Sequence, residues 1–544
     1  MRVAASATGG LAARLRSWAP RPVLLVAAVL AVAVALLPVL YLGLHTAEAG
    51  WSEISRHLLT DRVWRLTVRS LALAAVVTVG CVVIGVGAAF LVTRTDLPGR
   101  RTFGVLAALP LAIPSYVAAF AWVSFAHLVR PSYAFEGFWA AALVLILCSY
   151  PYVYLPVAAA LVGADPAVEE VSRSLGRGPW RTFTGVTLRQ VRPAVAAGGL
   201  LVGLYTLSDF GAVSIVRTDT FTRAIFTAFN LGFNRTAALV LSTLLVVLTV
   251  LVLAGESAMR RGGVRVARVG AGAGRPPVRF RLRSARWPAV AGLTAVAALA
   301  LGVPAVSLIR WFGAGVSRPG SLSELASAAA SSLWVSALGA LLAVVLALPI
   351  GLLSARVPGR VSNVVDRLSY VTHALPGVVV GLALVAFGVN VAFPLYQTVW
   401  LLAFAYAVLF LPLAVGAVAG AAAQAPPELE QVARSLGRRP WAVFGTVTLP
   451  LTAPGIGAGL ALAFLTCMKE LPATLLLRPT GMDTLATRLW THTGVVEYAA
   501  AAPYAALLVA IAAVPTWLLV SRTGVLGRSG RPGGTGRPGG TGRR

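Results

Sequence analysis

Long runs without charge dominate this chain and limit what it can fold into. Twelve stretches of about 20 residues or more, from 23–44 to 501–521, are almost wholly apolar, and each is long enough to cross a hydrocarbon core of roughly 30 Å. With 58% hydrophobic residues, 12% charged and a mean hydropathy of +0.82, the sequence lacks the charge, about a quarter of residues, typical of a soluble domain. Segments in lipid must satisfy their own backbone groups. The expected fold class is therefore all-α, a polytopic membrane protein with about twelve transmembrane helices.

A formal net charge of +28 raises the question of nucleic acid. Starting from a cytoplasmic N-terminus, 33 arginines fall on the cytoplasmic side and 11 on the other, with Arg69 and Lys469 inside spans. That bias is the positive-inside rule, and no nucleic-acid partner is expected. Cys81, Cys148 and Cys467 lie in apolar spans without CxxC spacing, so neither a disulfide framework nor a zinc site is implied. The first span is too long for a signal peptide and reads as retained.

The chain is a duplication. Asp165 to Pro193 aligns without gaps with Pro426 to Pro454, and fifteen of 29 positions are identical. The expected organisation is a basic cytoplasmic N-terminus (1–22), a first six-span half (23–258), a basic cytoplasmic linker (259–287), a second six-span half (288–521) and a disordered Gly/Pro/Arg-rich cytoplasmic tail (522–544). An even number of spans separates the repeats, so the halves are parallel. Each repeat is a loop of about 30 residues between the fourth and fifth spans of its half, with an amphipathic helical pattern on either side of Gly176 or Gly437.

These loops resemble the motif of ABC-importer permeases: Glu-Ala-Ala, three residues, Gly, nine residues, then an apolar residue, any residue and Leu-Pro. The similar stretches are "EVSRSLG" with "VTL" and "QVARSLG" with "VTLP". The resemblance implies the type I ABC-importer permease fold and loops that couple to a cytoplasmic ATPase through Glu169, Glu170, Arg173 and Gly176 in the first copy, and Glu430, Gln431, Arg434 and Gly437 in the second. The implied partners are two copies of the ATPase, an extracytoplasmic substrate-binding protein or lipoprotein, and the lipid bilayer of a bacterial cell membrane, with both termini cytoplasmic. The sequence departs from the motif at Val171-Ser172, Val432-Ala433, Arg189 and Gln431. Reading Glu430 as an acid shifted by one residue, Glu170→Ala is expected to reduce stimulated ATP hydrolysis more than Glu430→Ala. The chain has one lysine, between Met468 and Glu470, so it has no P-loop of its own. It is not expected to be an enzyme or to bind a cofactor; ATP and Mg belong to the partner.

That lysine, Lys469, stands beside Glu470 in an apolar run, and the repeat places Asp209 opposite Glu470. Ionisable groups at membrane depth usually face a cavity or a partner. Adjacent residues on a helix point about 100° apart, so Lys469 and Glu470 are not expected to pair with one another. Asp209, Lys469 and Glu470 are the candidate pore or gate residues, with helix-end snorkelling as the alternative; no metal ligands are assigned. "KELPATLLLRP" followed by "DTLATRLW", together with "DFG" in the first half, is similar to the ferric-iron branch of fused permeases. Thiamine, sulfate, molybdate and polyamine permeases are the alternatives within this class, and a twelve-span secondary transporter is the alternative outside it.

Overall fold

A computed structural model describes residues 21–48, 50–130, 134–164, 166–230, 232, 234–261, 280–314, 322–357 and 359–522. Most of the expected N-terminal segment, linker and tail lie outside these residues. Among the described residues the structure is helical, with one isolated bridge between Thr95 and Phe280. Among these described residues nine helices are long and apolar enough to cross a membrane, or ten with one bent pair; two shorter apolar helices, Gly377–Asn390 and Tyr498–Ala513, stand where the ninth and twelfth spans are expected.

Four of the expected spans are not straight. The third breaks between Arg100–Ala112 and Ser115–Val129, which are inclined by 97°. Pro114 is the cause: proline disfavours the helical region for the residue before it, and Ile113 is extended at φ −88°, ψ 116°. The ninth breaks in the same way at Pro376, with Leu375 at φ −88°, ψ 119°. The fifth and eleventh spans, expected to run to 216 and 477, stop at Ser208 and Met468. Each is followed by a short helix, Gly211–Ile215 or Pro472–Leu477, and then by a longer one, Phe221–Asn230 or Leu485–Gly494.

The halves interlock by exchanging their first helices. On Arg21–Glu48, Ala28, Ala31, Val32 and Ala35 are buried against Ala343, Ala347, Ala407 and Leu411 of the second half. In return the seventh span packs on the first half, where Ser307 and Ser124 share a buried hydrogen bond of 2.6 Å. Small residues let the helices approach closely, and hydroxyls fix the crossing. Replacing Ala35, which is fully buried, by leucine should lower the thermal stability of the purified protein by about 1–3 kcal/mol through overpacking. Val34→Leu, on the exposed side of the same helix, should leave the melting temperature unchanged in the same thermal scan.

Candidate functional site

Two regions collect the residues that the sequence singles out: a pair of loops at one end of the bundle, and the broken spans at its centre.

In the loops, helices Pro166–Ser174 and Pro427–Ser435 end at Gly176 and Gly437, whose φ angles are +77° and +80°. Left-handed backbone of this kind is what glycine supplies without strain. The Gly176 N–H donates to the Arg173 carbonyl at 2.9 Å, and Gly437 repeats the bond to Arg434 at 2.9 Å. A second short helix follows and widens into a π-helical turn, Phe183–Thr187 or Phe444–Thr448, before the next span. The expected pair of helices around a glycine is therefore present twice.

The acids divide by direction. Glu169 is fully buried: Arg94 Nη1, at the end of the second span, donates to its Oε2 at 3.3 Å, and Thr187 Oγ donates to Oε1 at 2.8 Å. Glu430 repeats this, accepting from Arg356 Nη2 at 3.0 Å and Thr448 Oγ at 3.1 Å. Glu170 and Gln431 are exposed. Glu430 is thus the counterpart of Glu169 rather than a displaced Glu170, and the second copy has an amide at its outward position. This corrects the reading of a shifted acid and reverses the expected ranking. Glu430→Ala strands Arg356 in a buried site, whereas Glu170→Ala removes an exposed charge.

The two arginines also differ. Arg173 stacks over the Phe280 ring, 4.7 Å from its centroid, and Phe280 is tied to the second span by its N–H to the Arg94 carbonyl at 2.8 Å. Arg434 lies 3.8 Å from Glu430. The end of the linker is therefore fastened beneath the first loop, a contact that sequence reasoning missed because residue 280 lies more than 100 positions from Arg173.

At the centre, Asp209 lies where the fifth span stops. Its Oδ1 accepts from the Ala212 and Val213 N–H groups at 3.0 and 3.3 Å, and Ser115 Oγ donates to Oδ2. Glu470 holds the same place in the second half, accepting from the Ala473 N–H at 2.9 Å. The acids satisfy the orphan N–H groups of the short helices that follow them. The residue after the breaking proline differs between halves: Ser115 in the first, Gly377 in the second. Glutamate is one methylene longer than aspartate, and a Cβ on Gly377 would overlap Glu470 Oε1 and lie 3.0 Å from Pro472 Cγ. A longer acid with a glycine replaces a shorter acid with a serine.

Lys469 crosses between the halves. Its Nζ donates to the Leu111 carbonyl at 2.9 Å, in the turn just before the Pro114 break. That carbonyl would otherwise be met from position 114 or 115, but Pro114 has no N–H and the chain has turned away. Ser208, the counterpart of Lys469, offers no such reach. Lys469 and Glu470 do not pair; both lie beyond Met468, where the helix has ended, so the separation comes from the break and not from helical spacing. No group of three or more His, Cys, Asp or Glu able to hold a metal ion occurs among the described residues.

The profile of a family described as "Binding-protein-dependent transport system inner membrane component" matches residues 81–261 and 347–522, once in each half. The chain belongs to that family. It is 38% identical over 486 residues to an Fe(3+)-transport system permease protein of Haemophilus influenzae, covering 89% of this chain and 95% of that one. Weaker similarity reaches a molybdenum transport system permease protein of Escherichia coli, 27% identical over 28% of this chain and 72% of that one. A sulfate transport system permease protein of the same organism is 28% identical over 33% of this chain and 69% of its own. The relatives are named as transport permeases, and the multi-pass helical architecture agrees with a membrane-embedded subunit of a transport system.

The central geometry predicts a specific rescue. Gly377→Ser should impair transport about tenfold at matched expression, since overpacking by an atom or two costs roughly 1–3 kcal/mol. Adding Glu470→Asp recreates the Ser115–Asp209 arrangement and should restore most of the uptake, as measured in whole cells or proteoliposomes. Full activity in the single variant would mean that Glu470 does not occupy this position.

Proposed function

We propose that this chain is the translocation subunit of an ATP-driven importer of ferric iron. It works in a bacterial cell membrane with both termini cytoplasmic, two copies of a cytoplasmic ATPase beneath it, and a substrate-binding protein on the other side. The observation that carries the substrate is the 38% identity spread over 89% of the chain to a relative named for Fe(3+) transport. The permeases named for molybdenum and sulfate match over about a third of it.

The loops support the coupling part of the reading. Val168, Val171 and Leu175 are exposed on the first, and Leu429, Val432 and Leu436 on the second, with Leu175 and Leu436 at 73% and 77%. Exposed apolar residues at matched positions on short amphipathic helices form faces suited to a groove on a soluble partner. ATP and Mg act in that partner. When its two copies approach and separate, the loops move with them. Arg94–Glu169 and Arg356–Glu430 then pass the displacement to the second and eighth spans, and the spans broken at Pro114 and Pro376 have hinge points where access can change.

The decisive experiment reconstitutes the chain with its ATPase and binding protein in liposomes. ATP hydrolysis and uptake should rise with the ferric-loaded binding protein, and not with molybdate, sulfate or thiamine. Uptake driven by a proton gradient without ATPase would overturn the class, and stimulation by another solute would overturn the substrate. Val171→Asp with Val432→Asp should abolish copurification of the ATPase without changing the thermal stability of the chain. Glu430→Ala should destabilise the protein by about 3–5 kcal/mol, as expected when a buried ion pair loses one partner. Glu170→Ala should not.

A further inference from the structure

The duplication also shows where one half has acquired something that the fold does not require. At the end of the bundle opposite the loops, Asp61–Arg94 carries Arg62, Arg65 and Arg69 on one face, facing Arg223 on Phe221–Asn230. With Asp219 they line a cavity of about 380 Å³. Asp219 already engages two of them, Arg223 at 2.9 Å and Arg69 at 3.6 Å. Arg62 and Arg65 are exposed and have no acidic partner within 4 Å among the described residues. The cavity thus holds four arginines against one aspartate.

The framework around this cavity is repeated in the second half. Ser70 Oγ accepts from the Phe221 N–H at 3.3 Å, and Ser332 Oγ accepts from the Leu485 N–H at 2.8 Å. In that register Asp483 stands for Asp219 and also lies between two arginines, Arg478 and Arg488. Arg62, Arg65 and Arg69, however, correspond to Glu324, Ser327 and Ser331. The fold is built equally well without the three arginines. Arg62 and Arg65 also sit on the side of the membrane that the charge bias otherwise keeps poor in arginine, with Arg69 at the start of the span. Their helix is 34 residues long, so at about 1.5 Å per residue they stand roughly 38–48 Å along it from Arg94 and the coupling loop.

We infer that this arginine-lined cavity of the first half is a docking site for an acidic surface of the substrate-binding protein. It orients that partner on the asymmetric outer face of the permease. The inference rests on the reading of the preceding subsection for the side of the membrane and the kind of partner. Seven residues of helix separate Arg62 from Arg69, a rise of about 10 Å. That row is too long for one carboxylate or phosphate and suits two or three acidic side chains on a protein. Guanidinium forks bind carboxylates in pairs of parallel hydrogen bonds. Because the groups are exposed, they act mainly on the rate and orientation of encounter.

The test uses the complete chain with its ATPase in nanodiscs, and follows association of the cognate binding protein against ionic strength. Wild type, Arg62→Ser with Arg65→Ser, and Arg62→Lys with Arg65→Lys are compared. The serine pair should associate about tenfold more slowly at low salt, the smaller end of electrostatic steering, and the difference should fade in 0.5 M salt, where the screening length is about 4 Å. Dissociation should change little, the lysine pair should stay near wild type, and ATP hydrolysis without binding protein should be the same in all three. Equal association of wild type and the serine pair overturns this inference alone. So does binding of inorganic phosphate or citrate to the chain in the absence of the binding protein, if the serine pair abolishes it, since the cavity is then a small-anion site. If the binding protein fails to bind wild type, the transport reading falls and this inference falls with it.

Discussion

The arrangement depends on a buried ion pair made twice. Arg94 and Glu169 are both fully buried, and Arg356 and Glu430 nearly so. Each pair joins the last turn of a span to the first helix of a loop, and a threonine from the π-helical turn completes it. A charge placed there alone would cost several kcal/mol, so neither partner persists without the other. The consequence is mechanical. A loop held only by its chain ends could swing without moving the bundle, but a loop pinned to the preceding helix and to the following turn carries both along. The exposed apolar residues then serve a different purpose from the buried acids, although the two kinds alternate within nine residues.

The centre follows a related logic. Prolines at 114 and 376 break two spans, and each break leaves backbone groups without helical partners. At the neighbouring breaks an acid meets the N–H groups of the next short helix, and at one of them the single lysine meets a carbonyl of the opposite half. Arginine carries a broad planar fork, and a lone carbonyl uses one donor. A compact ammonium on a flexible stem is the better fit. This accounts for one lysine in a chain that uses arginine everywhere else, and it places Lys469 as a tie between the halves beside the Pro114 break.

Much of this was legible in the sequence, and the limits have physical causes. Apolar length located the membrane segments but not their form: of the twelve expected, nine are helices long enough to cross among the described residues, or ten with the bent pair. The repeat marked two halves with their glycine-centred loops. Side-chain direction on a short helix was not legible. Adjacent Glu169 and Glu170 are chemically equal until Arg94 is placed, and Arg94 is 75 positions away. The breaks at Pro114 and Pro376 have no distinct mark in the sequence, because proline also occurs within unbroken spans here, as Pro38 and Pro412 show. Whether a proline kinks or breaks a helix depends on what can satisfy the freed groups, and that is a tertiary property. Lys469 was recognisable as an anomaly, and its partner was not: a backbone carbonyl has no sequence signature.

Duplication supplies a comparison that a single sequence otherwise lacks. Positions where the halves agree in structure but differ in residue fall into two kinds. Ser115–Asp209 and Gly377–Glu470 differ by compensation, since the added methylene occupies the space that serine would need. Arg478 makes with Asp483 the ion pair that Arg69 makes with Asp219, but nothing comparable offsets the exchange of Arg62 and Arg65 for Glu324 and Ser327, because these groups are exposed and packing does not constrain them. Compensated differences preserve a shape that both halves need. Uncompensated ones free the two outer faces to diverge, and a partner that meets a two-faced surface can dock in one orientation. Fusing the halves in one chain fixes which face lies on which side, so the asymmetry is present in every molecule.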